Sequence, residues 1–167
     1  MIHLLPLDEA TLEGLLRDPK NEFRKICSNE GEAAAFLSPI LMQARDFHRR
    51  IGSRAPWIGY LGIESEGDRI VGVCSFKGNP NQAGEVEISY GTLPALEGRG
   101  YATAMAVALV KIAFHSLEVQ QVIAHTLAQS NASARVLTKT GLTFEGEAID
   151  PEDGRVWRWE LARPKAP

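Results

Sequence analysis

One stretch limits what this chain can fold into more than any other. Residues 85–112 read EVEISYGTLPALEGRGYATAMAVALVKI. Val86, Ile88 and Tyr90 alternate with Glu85, Glu87 and Ser89, the period of two that a β-strand imposes. Pro94 has no N–H to donate and ends the ladder. A turn, Glu97-Gly98-Arg99-Gly100, follows. Beyond it Ala102, Met105, Leu109 and Ile112 recur at helical spacing and predict an apolar stripe. A strand, a glycine turn and a helix in succession gather unpaired backbone N–H groups at a positive helix end, where a phosphate can be held.

The rest of the chain predicts a single domain over residues 1–167, long enough to bury a full core. A formal net charge of −3 argues against a general nucleic-acid binder, which usually carries a basic excess. Cys27 and Cys74 have neither metal-ligand spacing nor a disulfide framework, so no metal is expected. Cys74, inside the apolar run IVGVCSF, reads as a buried, inert thiol. The N-terminal MIHLLPLDEA lacks a basic leader, and no apolar run reaches the ~20 residues of a membrane span. A cytoplasmic protein without membrane attachment is the expectation.

In chain order, Ile2–Leu5 predicts a short strand, and Asp8 caps a helix running to Leu16. Residues 17–31 are mixed and polar and carry no assignment. A second helix is expected over Glu32–Arg50, broken or kinked at Pro39 and ending in the charged cluster RDFHRR. That cluster reads as a solvated helix terminus or as a substrate-facing rim. Trp57–Glu64, Ile70–Lys77 and the strand of the opening stretch form an antiparallel meander joined by glycine-bearing turns. Gln121–Leu127 is a strand, Asn131 and Ser133 offer caps for a helix to Thr140, and Gly141 ends it. Thr143–Ile149 and Arg155–Leu161 make a last hairpin in which Trp157, Trp159 and Leu161 share a face, as core or ligand wall. The fold class is therefore α/β of the α+β kind: a mixed, mostly antiparallel sheet of about seven strands flanked by helices, with one parallel crossover.

The glycine turn does not match the common phosphate loops. A Walker loop needs a Lys-Ser/Thr pair that is missing here. The dinucleotide fingerprint needs a third small residue where Thr103 stands, and an acid where Ala128 and Gln129 stand. The run YGTLPALEGRGYATAM instead resembles the acyl-coenzyme A signature of the GNAT superfamily of N-acetyltransferases, Q/R-x-x-G-x-G/A, with Gly100 and Ala102 in its last two fixed positions. The run SNASARVLTKTGLTFEGE resembles that family's second signature through Asn131, Ser133, Arg135, Lys139 and Gly141. The likeness is nearest to the branch with ribosomal-protein and antibiotic N-acetyltransferases. Departures are Glu97 in place of Gln or Arg, Leu142 in place of Phe, and Leu137 where many members carry a tyrosine acid.

That resemblance implies acetyl-CoA as co-substrate and a primary amine, on a small molecule or a peptide, as acceptor. A homodimer is compatible with the family. Acetyl transfer needs a neutral amine, a polarised thioester carbonyl and a proton for the leaving thiolate. The resemblance assigns the pyrophosphate to the amides of Gly98, Arg99, Gly100, Tyr101, Ala102 and Thr103, and the pantetheine arm to Thr92 and Leu93, one of whose N–H groups would polarise the carbonyl. Asn131 would hold the pantetheine or substrate side, or simply cap its helix. Glu87 is the candidate base with Glu85 as alternate, Ser133 the candidate proton donor, and His125 a further candidate if it faces the cleft. Phe23, Phe47, Trp57 and Trp157 are open between acceptor lining and core. The competing class is a non-catalytic acyl-CoA-binding sensor, suggested by Glu97 and the missing tyrosine.

Overall fold

A computed structural model of the chain describes all of residues 1–167. Its strands are β1 (Ile2–Pro6), β2 (Gly59–Glu64), β3 (Arg69–Phe76), β4 (Glu85–Thr92), β5 (Gln121–Leu127), β6 (Thr143–Asp150) and β7 (Gly154–Ala162). Its helices are α1 (Glu9–Arg17), α2 (Pro19–Ile26), α3 (Glu30–Ile51), α4 (Tyr101–His115) and α5 (Ala132–Thr140). The strands form one seven-stranded sheet in the order β1-β2-β3-β4-β5-β7-β6. Only β4 and β5 run parallel, joined through the α4 crossover.

The unassigned stretch 17–31 holds α2, which starts on Pro19, where a missing N–H costs nothing. Helix α3 is longer than its apolar period predicts and continues through Pro39. Proline inside a helix costs ~3 kcal/mol. Leu37 and Leu41 are fully buried on either side of it, and each contributes ~1.5–3 kcal/mol by leaving water. Packing therefore outweighs the lost hydrogen bond. The helix stops where Gly52 adopts the left-handed conformation at φ 67°.

The pleat of β3 and β4 divides the molecule. Cys74, Phe76, Val86 and Ile88 face one core with Met105, Leu109 and Leu137 of α4 and α5. On the other side α1–α3 pack on Leu61, Ile63 and Val71 with Phe23, Leu37 and Leu41. The α4 stripe is rotated slightly from the predicted one. Met105, Ala106, Leu109 and Ala113 are buried, while Ala102 and Ile112 lie half-buried at its margin. Trp159 is buried with Trp157 and Leu161 against it, and its Nε1 donates to Thr126 Oγ1 at 3.0 Å, so this face of β7 is core.

Strands β4 and β5 pair only at Glu85–Gln121, Val86–Val122 and Glu87–Ile123. Beyond that rung β4 stays with β3 as far as Thr92, and β5 stays with β7 as far as Leu127. The sheet thus opens in its middle, at the point where the crossover reverses strand order.

Candidate active site

The glycine turn lies at the mouth of this opening. Gly98 and Gly100 have φ of 73° and 84°, which glycine adopts without strain. Gly100 caps α4 with no side-chain bond. None of the N–H groups of Gly98, Arg99, Gly100, Tyr101, Ala102 and Thr103 has a partner, while Ala104 N donates back to Gly100 O at 3.0 Å. The Tyr101 hydroxyl donates to Glu64, which also accepts from Arg69 Nε at 2.9 Å and Nη2 at 2.6 Å. Those bonds hold the Glu64 carboxyl below the usual carboxylate range, Tyr101 contributing most. They also anchor the first turn of α4 to the β2–β3 hairpin. Glu97 and Arg99 are exposed.

Along the opening, Lys77 N donates to Glu87 O and Leu93 N to Val71 O, both at 2.8 Å. The odd-numbered residues of β4 thus turn their backbone groups to β3, and the even-numbered ones face β5. Past the last shared rung, Tyr90 and Thr92 present free N–H groups to the gap. This corrects the expectation for Leu93. Its N–H is committed to Val71 and its side chain is fully buried, so it cannot polarise a carbonyl.

Across the gap Asn131 caps α5, its Oδ1 accepting from Ala134 N at 2.9 Å. The capping alternative for Ser133 does not hold, since Asn131 fills that role. The Ser133 carbonyl accepts from the Tyr90 hydroxyl at 3.1 Å, and its own hydroxyl has no partner. Burial pushes the Tyr90 phenol up to about 12.

On the α3 side the opening widens into a cleft of about 650 Å³. Its floor carries Ser75, Lys77, Glu87 and Ser89, its α3 wall Gln43, Phe47 and His48, and its far rim Asp150, Glu152 and Asp153 of the β6–β7 turn. Glu87 accepts from His125 Nδ1 at 2.9 Å and lies 3.4 Å from Lys77 Nζ. His125 therefore orients Glu87 from β5. Glu85 is held by Arg158 at 2.8 Å and Asn81 at 3.0 Å and does not line the cleft, whereas Glu87 does. The backbone N–H groups of Asp153 and Glu152 hold the Asp150 carboxyl below its usual range. Of the open aromatics, Phe47 lines the cleft, while Phe23 and Trp57 are fully buried core and Trp157 packs on the α4–α5 core. Phe47, His48 and Arg50 make the end of α3 a cleft wall rather than only a solvated terminus. Sequence pattern did not single out His48, Ser75 or Asp150; only the RDFHRR cluster pointed toward the first.

Residues 2–143 match the family model described as acetyltransferase (GNAT) domain. The chain belongs to the GNAT family. No curated relative matches it by sequence. Among solved structures, it is similar to a ribosomal alpha-N-protein acetyltransferase, RimL, in complex with coenzyme A, with 16% identity and a TM-score of 0.65 over 96% of this chain and 93% of that one. It is also similar to the Vibrio cholerae spermidine N-acetyltransferase in complex with CoA and spermine, with 14% identity and a TM-score of 0.65 over 97% and 95%. An aminoglycoside acetyltransferase in complex with coenzyme A gives 15% identity and a TM-score of 0.64 over 98% and 95%. These likenesses establish the GNAT fold, and the matched region spans the glycine turn, both sides of the opening and α5.

Proposed function

We propose that this GNAT chain moves the acetyl group of acetyl-CoA to a primary amine by direct attack of the amine on the thioester. The observation that carries the reading is the opening between β4 and β5, bounded at one end by the free amides of Gly98–Thr103 and at the other by the cleft holding Glu87. The turn suits a pyrophosphate, because consecutive free amides at a helix N-terminus complement an anion, and Arg99 adds a charge beside them. The free N–H groups of Tyr90 and Thr92 suit an amide-bearing arm and the thioester carbonyl, where a donor aimed at developing negative charge lowers the barrier. Asn131 and Ser133 border the same gap from α5.

The acceptor amine enters from the cleft. An ammonium cannot attack, and an α-amine near pKa ~8 loses its proton far more readily than a lysine-like one near ~10.4. Glu87, oriented by His125, is the proposed base. Ser133 is the proposed donor to the departing thiolate. The ammonium first gives one proton to Glu87; attack then forms the C–N bond and breaks the C–S bond, and the nitrogen's second proton replaces the one that Ser133 gives to the thiolate.

Calorimetry with acetyl-CoA, CoA, ATP and NAD tests the donor side, and binding of neither CoA species refutes it. Thiol release across polyamines, aminoglycosides, amino acids and peptide N-termini tests catalysis. Tight CoA binding with no thiol release for any amine would establish the sensor reading instead.

A further inference from the structure

His48 occupies a place that the acetyl-transfer reading leaves unexplained. Behind α3 lies a second, smaller cavity of about 210 Å³, lined by residues of α1 and by Arg45, Arg49 and Ser53. Leu7 and His48 line both cavities, and of the two only His48 is polar. Its Nε2 lies 3.2 Å from Ser75 Oγ, which lines the cleft, and its Nδ1 lies 2.6 Å from Ser53 Oγ, which lines the outer cavity. The imidazole thus bridges the partition between them, with one hydroxyl on each side.

Resting on that acetyl-transfer reading, we propose that the chain Ser75–His48–Ser53 carries the proton lost by the acceptor amine from the cleft to the outer cavity. The stoichiometry demands such an exit. An ammonium and a thioester yield an amide, a thiol and one proton in excess. Glu87 lies at the floor among Lys77 and His125, and a proton parked there must still leave before the next turnover.

The geometry suits transit in both protonation patterns. With the ring proton on Nδ1, that N–H donates to Ser53 and Nε2 accepts from the Ser75 hydroxyl. With it on Nε2, the ring donates to Ser75, which in turn donates to Phe76 O at 2.9 Å, and the Ser53 hydroxyl donates to Nδ1. The imidazolium, protonated on both nitrogens, lies between these states. In the transfer itself, Glu87 takes the proton as the ammonium's N–H bond breaks, cleft water carries it to Ser75 Oγ, and Ser75 passes its own proton to Nε2. The Nδ1 proton then leaves through Ser53 to water. Burial lowers the affinity of the ring for a proton, so the imidazolium gives it up readily.

The charged groups facing the ring differ on its two sides. The outer cavity holds Asp8, Glu9, Arg45 and Arg49, and the cleft holds Arg50, Lys77, Glu87 and the carboxylates of the final turn. The titratable neutral groups of the cleft, Cys74 and Tyr90, are both pushed up to about 12 by burial and stay protonated through the working range.

The test uses the full chain with His48→Gln, His48→Ala and Ser53→Ala, measuring thiol release from acetyl-CoA from pH 6 to 9 with an amine that the unaltered protein accepts. Glutamine keeps a hydrogen-bonding group at the Nε2 position beside Ser75 but cannot carry a proton. The expected result for His48→Gln is a kcat loss of about a hundredfold, with KM for acetyl-CoA unchanged and the melting temperature near that of the unaltered protein. Imidazole in the buffer restores part of the His48→Ala loss, and Ser53→Ala lowers kcat less. A His48→Gln variant with unaltered kcat across the pH range overturns the relay, as does a His48→Ala loss that imidazole fails to lift. If the unaltered protein releases no thiol with any amine, the acetyl-transfer reading falls and the relay falls with it.

Discussion

Two neighbouring glycines at the opening should respond in opposite ways to the same methyl group. A Cβ on Gly72 would lie 2.1 Å from the carbonyl oxygen of Gly91, 2.9 Å from Met105 Cε and 3.0 Å from Thr92 Cα. Two of those neighbours are backbone of β4, so relief requires moving the strand whose free edge forms the proposed thioester platform. Overpacking of this kind costs ~1–3 kcal/mol, and with backbone in the way the upper figure applies. At ~2–4 °C per kcal/mol for a chain of this size, Gly72→Ala should lower the melting temperature by ~6–12 °C. Gly91 is the control. A Cβ there meets nothing within 4 Å, and its φ is not among the positive ones. Gly91→Ala should therefore leave the melting temperature unchanged or raise it by ~1–4 °C, through ~0.4–1 kcal/mol of lost unfolded-state freedom. Its methyl enters the cleft that Gly91 lines, so kcat/KM for the amine should fall while acetyl-CoA affinity holds. Thermal unfolding by circular dichroism, with calorimetry and thiol release, separates the two. A Gly72→Ala melting temperature within ~2 °C of the unaltered protein would refute the strand-displacement reasoning.

Three more outcomes are expected. Glu87→Gln should reduce kcat by ~10²–10⁴-fold with little change in acetyl-CoA affinity, and a smaller loss than tenfold in thiol-release assays would remove Glu87 as the base. Gly100→Ala places a side chain at φ 84°, at a local cost of ~1–2 kcal/mol, and should weaken CoA binding in calorimetry; unchanged affinity would show that the turn does not hold the pyrophosphate. Burial sets the His48 pKa below its ordinary value of 6.5, so the unfolded chain takes up that proton first on acidification. The stability that the neutral ring contributes is complete above that value and is lost as pH falls from it through the depressed folded pKa. The unfolding free energy of the unaltered protein should accordingly fall relative to that of His48→Gln between pH 7.5 and 5, and parallel curves in chemical denaturation would contradict this.

The elements with strong local signals were readable before the structure. The period of two in β4 and β5, Asp8 as a cap and Gly141 as a stop all act over a few residues, and they lie where their local chemistry placed them. The break that Pro39 could have made in helix α3 is absent, and the burial of Leu37 and Leu41 that offsets it depends on distant parts of the chain. The same limit governed the site. The glycine turn is contiguous and could be recognised from its residues. The cleft draws on α3, β3, β4 and the last turn together, so no spacing rule joins His48 to Ser75 or Glu87 to His125. The role of Leu93 failed for a subtler reason. Which way an amide points along a strand depends on the register with its neighbour, and one residue's shift reverses it.

An unpaired strand edge is usually a hazard, because any extended polypeptide can add to it and seed aggregation. Here the unpaired edge lies inside the sheet, between two strands still fastened to each other at Glu85–Glu87 and Gln121–Ile123. The fastened end limits how far the gap can spread. The fold thereby keeps the backbone donors of Tyr90 and Thr92 unpaired without presenting them on an outer edge of the sheet.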